Sequence, residues 1–327
     1  MSGLFEPELA MQLQKSLVAA LDPLPAAIKV RIEDYILGQK GKMVRPLLVM
    51  KINEVLAGDK QIGLDYGIAV ELLHNMSLIH DDILDHAPLR RGRPAYHARH
   101  GIERAVNDGD VLLILALYRV DERARIAILR TALEVAEGQA MELDDRLDNR
   151  FVFTADDALK IMELKTATVF RTCIRIACEG AGRQDISGKF KAFSIHAGIA
   201  FQIQDDLLDI LGESEVFGKK SLWDIQESKR NLFLAYALEK ENNETKQLIE
   251  IYSKPVGAKT EEEVQFVANL FRQDDGINRA IEERERQLQL ALDSLESARK
   301  EMEDDVDVER LCEFLREFAI YMVRREK

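Results

Sequence analysis

Apolar residues recur every three to four positions along much of the chain, the spacing of one face of a helix. Ala69, Leu72, Leu73, Met76, Ile79 and Ile83 follow it. So do Ile277, Ile281, Leu288, Leu292 and Leu295, in a stretch whose other face is charged. Phe190–Leu211 is apolar nearly all round, which predicts a helix buried in the centre of the fold. No sustained strand alternation and no βαβ rhythm is present. None of the seven prolines lies between Pro94 and Pro255, and proline breaks helix interiors, so this long free run suits packed helices. Breaks are expected near Leu56–Lys60, Pro88–Pro94, Arg146–Phe153, Gly212–Trp223 and Lys254–Lys259, none of them a Gly/Ser-rich linker. With no solenoid repeat either, the pattern reads as all-α, one helical domain over residues 1–327.

Composition adds limits. The 327 residues are 46% hydrophobic and 31% charged, enough for a sizeable soluble core. A net charge of −13 argues against nucleic acid as a partner, since phosphate backbones need a basic face. Cys173, Cys178 and Cys312 form no CxxC pair, which fits reduced, packed thiols in a cytoplasmic protein. The N-terminus is acidic early and has no signal-peptide core, and no run of about 18 uncharged apolar residues predicts a membrane span.

Two acidic clusters share one spacing. Asp81, Asp82 and Asp85 close an apolar run, and Asp205, Asp206 and Asp209 sit in the most apolar helix of the chain. Carboxylates four apart share a helix face and repel by about 0.2–0.5 kcal/mol. Acids in such apolar settings call for a counter-ion. Carboxylate-rich oxygen sites suit Mg²⁺, which commonly bridges to substrate phosphates. Lys42 and Arg45 in GKMVRP, Arg90, Arg91 and Arg93, Lys165, and Lys219, Lys220 and Lys229 accompany these acids. Magnesium-holding acids beside Arg and Lys form the composition that grips a diphosphate. GESEVFGKK is not a P-loop, because its glycines are too far apart and Lys219 is not followed by Ser or Thr. The histidines show no zinc spacing with the cysteines.

GKMVRP, His74 seven residues before DDILD, LRRGRPAYH, EGQ, LKTA, FQIQDDLLD, FGK and SKR match, in order and spacing, the trans-isoprenyl diphosphate synthases, or polyprenyl synthetases. The chain resembles this family from about Gly41 to Lys229, with a weaker echo in the C-terminal YMVRREK. The resemblance implies a bundle of long helices around a deep central cavity, with the two DDxxD motifs facing each other across its mouth, in a homodimer. It implies that Lys42, Arg45, His74 and Arg91 grip isopentenyl diphosphate. It implies that Asp81, Asp85 and Asp205, supported by Asp82 and Asp209, hold an allylic diphosphate through Mg²⁺, about three ions per loaded site. By the same resemblance Arg90, Lys165, Lys219 and Lys229 would contact that diphosphate, Thr166 and Gln202 would line the reacting end, and Asp206 would belong to the catalytic set. The C-terminal echo of the family implies that Arg324 and Arg325 help close the site. Met76 and Ser77 sit where the floor of the product tunnel is expected, and flexible, mid-sized Met76 points to geranylgeranyl diphosphate first, with farnesyl or farnesylgeranyl diphosphate as neighbours.

Three features depart from the pattern. Glu142 replaces the expected aspartate of GQxxD, Ser221–Trp223 replaces a glycine-rich stretch, and the segment between Gly109 and Glu137 is short. The competing readings are a class I terpene cyclase or head-to-head synthase, for which Lys42, Arg45 and His74 would have no use, and a non-catalytic subunit of a heteromeric synthase, which would have no reason to keep both acidic trios.

Overall fold

The computed structural model describes residues 4–38, 41–148, 151–211, 222–240, 242–273 and 275–324. The helices, in chain order, are α1 (Pro7–Ala19), α2 (Ala26–Gly38), α3 (Val44–Val55), α4 (Lys60–Leu84), α5 (Tyr96–His100), α6 (Ile102–Arg119), α7 (Glu122–Leu147) and α8 (Ala155–Met162). After a π-helical turn at Glu163–Ala167 come α9 (Thr168–Gly180), α10 (Lys191–Leu211), α11 (Trp223–Gln226), α12 (Leu232–Leu238), α13 (Asn243–Tyr252), α14 (Glu261–Gln273), α15 (Gly276–Glu301) and α16 (Val306–Arg324). The fold is all-α, as the apolar spacing predicts. α10 coincides with the run that is apolar all round, and α15 with the amphipathic stretch after Ile277.

One structural element is not visible in the hydrophobic pattern. Leu89–Arg90 (β1) and Arg93–Pro94 (β2) pair antiparallel, with Leu89 opposite Pro94. Both central residues of the turn, Arg91 (φ 51°) and Gly92 (φ 76°), have positive φ, the requirement of a type I′ hairpin turn.

The chain forms two compact units. The first comprises Met1–Arg130, Phe170–Lys191 and Leu295–Phe318. In it α4 packs between α3 and α6, around Leu47, Leu48, Ile52, Leu72, Ile79 and Leu112. Asp59 caps α4 by accepting the N–H groups of Gln61 and Ile62, satisfying donors that a helix start leaves unpaired. Buried Asp108 on α6 accepts Arg31 Nε of α2 at 2.8 Å and Tyr96 Oη of α5 at 2.6 Å, joining three helices through one carboxylate.

The second unit comprises Thr131–Val169, Ala192–Ser294 and Ala319–Lys327. Its core gathers Ile203, Leu207 and Ile210 of α10 with Phe233 and Phe271, whose rings stack 5.9 Å apart. Gly198 on α10 lets the π turn approach, because a Cβ there would lie 2.5 Å from Ala167 Cα. That neighbour is backbone and has nowhere to go. Gly198→Ala is therefore expected to destabilise the protein by about 1–3 kcal/mol, read as a lower Tm in calorimetry. An unchanged Tm would mean that α10 and the π turn part without cost. The three cysteines are buried and unpaired.

Candidate active site

In the first unit the chain enters α3 through Met43, held in the left-handed region (φ 47°), which places Lys42 and Arg45 on either side of the helix start. Arg45 lies over the Phe170 ring, 5.4 Å from its centre, and its Nη1 is 3.5 Å from His74 Nε2. Arg91 stands at the hairpin tip with a positive φ that costs a side-chain-bearing residue about 1–2 kcal/mol. Its guanidinium fills the space where Gly41 lacks a side chain. Burial, and then Arg45, Arg91 and Arg90, hold the His74 pKa well below the usual histidine range, so the ring is neutral at pH 7. The expected isopentenyl diphosphate residues Lys42, Arg45, His74 and Arg91 thus belong to one unit, and Arg45, His74 and Arg91 are neighbours.

α4 delivers the first acidic trio in its last turn, with Asp85 as the residue that ends the helix. Asp81 and Asp85 are partly exposed and Asp82 is buried. Arg90, one residue before the hairpin tip, donates to Asp82 Oδ1 through both Nε (2.8 Å) and Nη2, while Asp82 Oδ2 is buried without a hydrogen-bond partner. Burial opposes the Arg90 charge, but Asp82 more than offsets it, and the guanidinium pKa is raised. Met76 and Ser77 are half-buried on α4, and the Ser77 hydroxyl donates to the His74 carbonyl at 2.9 Å.

The second unit repeats this plan. α10 ends with Asp205 and Asp209 partly exposed and Asp206 buried. A hydrogen-bonded chain runs through the buried one. Thr166 Oγ1 donates to Gln202 Oε1 (2.8 Å), Gln202 Nε2 donates to Asp206 Oδ1 (3.0 Å), and Lys229 Nζ donates to Asp206 Oδ1 (3.0 Å) and Asp224 Oδ2 (2.7 Å). Burial opposes the Lys229 charge, yet the two carboxylates hold its pKa well above the usual lysine range. Burial, with Asp224 adding to it, pushes Asp206 upward against the pull of Lys229.

The π turn carries Lys165 and Thr166, and single π turns recur at functional positions. Gly138 on α7 gives the turn room, because a Cβ there would meet Leu164 and Lys165. Lys165 Nζ pairs with Glu142 Oε2 at 2.5 Å. Glu142 is buried, but Lys165 outweighs that burial and its carboxyl titrates below the usual range. The longer acid that replaces the expected aspartate therefore holds the very lysine assigned to the substrate.

Lys219, Lys220, Ser221 and Arg325 lie outside the described residues, and Arg324 ends α16. Within the stretch that replaces the expected glycines, Leu222 takes a positive φ (65°), a conformation that glycine adopts without strain. Sequence reasoning missed Asp224, the second carboxylate on Lys229, and Glu71, which forms an i, i+3, i+4 polar stripe with His74 and Asn75 in an apolar run. That stripe was the available signal.

Among the described residues no three His, Cys, Asp or Glu side chains converge as a ready-made metal site. In both trios the middle acid is tied to a cation, and the flanking pair, Asp81 with Asp85 and Asp205 with Asp209, is partly exposed. That suits Mg²⁺, which takes one or two carboxylates and draws its other ligands from water and substrate phosphate. Both helices also end in acids with no basic residue in the last turn, where the helix dipole favours cations.

A sequence model of the polyprenyl synthetases matches residues 28–271. The chain belongs to that family. It is an enzyme of the trans-prenyltransferase class, with an isoprenoid synthase fold. It is 30% identical over 221 residues to the geranylgeranyl diphosphate synthase of Saccharolobus solfataricus, a match covering 64% of this chain and 66% of that one, just under two thirds of the relative. It is 29% identical over 303 residues to the geranylgeranyl diphosphate synthase of Sulfolobus acidocaldarius, covering 88% of each. Its fold superposes on the crystal structure of a geranylgeranyl pyrophosphate synthase with a TM-score of 0.85, at 28% identity and 98% coverage of both chains. No helix of this polyprenyl synthetase, among the described residues, is long and apolar enough to cross a membrane.

Proposed function

We propose that this polyprenyl synthetase condenses isopentenyl diphosphate head to tail with an allylic diphosphate, releases diphosphate, and makes geranylgeranyl diphosphate as its main product. The observation that carries this reading is the matched pair of helix ends. On α4 and α10 alike, two partly exposed carboxylates four residues apart flank a buried middle one that is neutralised by Arg90 or Lys229. Surface acids with no ligand gain nothing from that arrangement.

Asp81 and Asp85 on α4, and Asp205 and Asp209 on α10, would be the carboxylates that hold Mg²⁺ for the allylic diphosphate. When bound, the metal neutralises the leaving group's charge. Arg90, Lys165 and Lys229 add fixed positive charge to the same task. The allylic C–O bond breaks with its electron pair going to the diphosphate. Thr166 spends its hydroxyl proton on Gln202, so its oxygen lone pairs are the part left to face the resulting cation. Arg45, His74 and Arg91 hold isopentenyl diphosphate so that its double bond attacks that cation, positioning that lowers the barrier. The proton lost from isopentenyl diphosphate goes to the departing diphosphate, so no side-chain base is required. The product is an allylic diphosphate longer by one isoprene unit.

The names of the relatives support geranylgeranyl diphosphate as product, and half-buried Met76 supports a floor of intermediate height. A homodimer is part of this proposal, supported by an exposed apolar row on α6, in which Ile114 and Tyr118 are 65% and 83% exposed. The test mixes enzyme, Mg²⁺, isopentenyl diphosphate and each allylic diphosphate in turn, and follows diphosphate release and chain length. Met76→Phe is expected to shorten the main product and Met76→Ala to lengthen it, each by one isoprene unit, in chromatography of the dephosphorylated products. A product unchanged by both would reject Met76 as the floor.

A further inference from the structure

Glu71 is a buried carboxyl with no part in the reaction just described. It is 5% exposed. Its Oε1 accepts Asn75 Nδ2 at 3.0 Å, and its Oε2 is buried without a hydrogen-bond partner. Leaving such an oxygen unpaired costs about 1–3 kcal/mol, more when it carries charge. The cations whose charge reaches it are the Arg45 guanidinium from α3 and the Arg91 guanidinium from the hairpin tip, neither of them hydrogen-bonded to it. His74 lies one turn along α4, 3.5 Å from Arg45. Cys173 of α9 faces Arg45, and Tyr35 of α2 faces Arg91. The guanidiniums are permanently charged and His74 is neutral. Glu71 is therefore the member of this cluster whose charge can change near pH 7.

We propose that Glu71 is a proton-linked counter-ion for the isopentenyl diphosphate half-site, a positioning residue that steadies Arg45 and Arg91 as a carboxylate and takes up a proton when the substrate's diphosphate replaces it. The inference rests on the functional reading above and deepens it. Burial raises the Glu71 pKa to about 7, against the opposing pull of Asn75, Arg91 and Arg45. Near neutrality the group is close to half ionised. An arriving diphosphate occupies the guanidiniums and brings negative charge of its own, and both effects raise the Glu71 pKa further. A solvent proton then binds Glu71, and no other bond changes. The sign follows by linkage. Uptake on binding means affinity falls as pH rises through about 7, by up to tenfold per pH unit for a full proton.

The experiment titrates isopentenyl diphosphate calorimetrically into the full-length enzyme at pH 7, in two buffers of different ionisation heat, without allylic substrate or Mg²⁺. The substrate titrates too, so the wild type is compared with Glu71→Gln. The wild type is expected to take up about half a proton more. In steady-state kinetics, KM for isopentenyl diphosphate should rise more steeply above pH 7 in the wild type than in Glu71→Gln. The allylic KM should keep the same slope in both. Infrared difference spectra of the wild type, which need no variant, should show a protonated-carboxyl band growing on binding. Equal proton uptake in both proteins, or no such band, overturns this inference alone. Absence of isopentenyl diphosphate binding in the wild type overturns the functional reading and this inference with it.

Discussion

Alanine at Asp81 or at Asp205 should lower turnover by about a thousandfold or more while leaving the fold as stable as before or slightly more so. The two effects have different physical sources. On the proposed mechanism each carboxylate would hold Mg²⁺ on the leaving diphosphate, so its loss would remove several kcal/mol of charge stabilisation, and each ~1.36 kcal/mol is a factor of ten in rate. The same carboxylate sits in the last turns of a helix with no basic residue there. Asp81, in the last turn of α4, opposes the dipole by about 0.3–1 kcal/mol, and each acid repels its fellow four residues on by about 0.2–0.5 kcal/mol. Removing Asp81 relieves both costs, and removing Asp205 relieves the repulsion. The check pairs a diphosphate-release assay with calorimetry in the absence of Mg²⁺. Turnover near wild type in either variant would contradict the metal assignment. A Tm that falls by several degrees would mean the acid is a structural partner and not a ligand held ready. Such opposed signs are expected where function is maintained at the cost of stability.

The elements that carry this chemistry were legible because they are long and strongly periodic. The apolar faces of α4 and α10 are written in Leu72, Ile79, Ile203 and Leu207, and the acids interrupt them at a spacing that apolar burial alone does not explain. How each trio divides was not legible. Asp82 and Asp206 sit about 100° round the helix from Asp81 and Asp205. In runs apolar nearly all round, the sequence does not say which side faces the core. It also does not say that Arg90 and Lys229 return to the buried members. The π turn left no mark either, because ELKTA reads as ordinary helix and the shift to i→i+5 bonding is a tertiary accommodation at Gly138 and Gly198. The hairpin at Arg91–Gly92 was hidden by strands of two residues each, too short to show alternation. Glu142 was visible as a substitution. Its consequence, an ion pair that occupies Lys165, depended on how far its side chain reaches across to the π turn.

The buried members of the trios should behave in the opposite way. Asp82→Ala is expected to destabilise the protein by about 3–5 kcal/mol, the cost of leaving a buried cation without its partner. Asp82 is fully buried and the Arg90 side chain is only 14% exposed, so water replaces the lost carboxylate poorly. Asp206→Ala should cost less, because Lys229 keeps Asp224 at 2.7 Å and its side chain is 27% exposed. Asp82→Ala combined with Arg90→Met should regain much of the lost stability without regaining activity, since the double variant removes both the charge and its need for a partner. Double-mutant cycles on Tm and on urea midpoints would measure that coupling, with Asp81→Ala as the neighbour that should move stability the other way. If Asp82→Ala melted like Asp81→Ala, the division of each motif into outer carboxylates that receive metal and an inner one that anchors a cation would be wrong. The two DDxxD motifs would then have to be treated as undivided acidic trios.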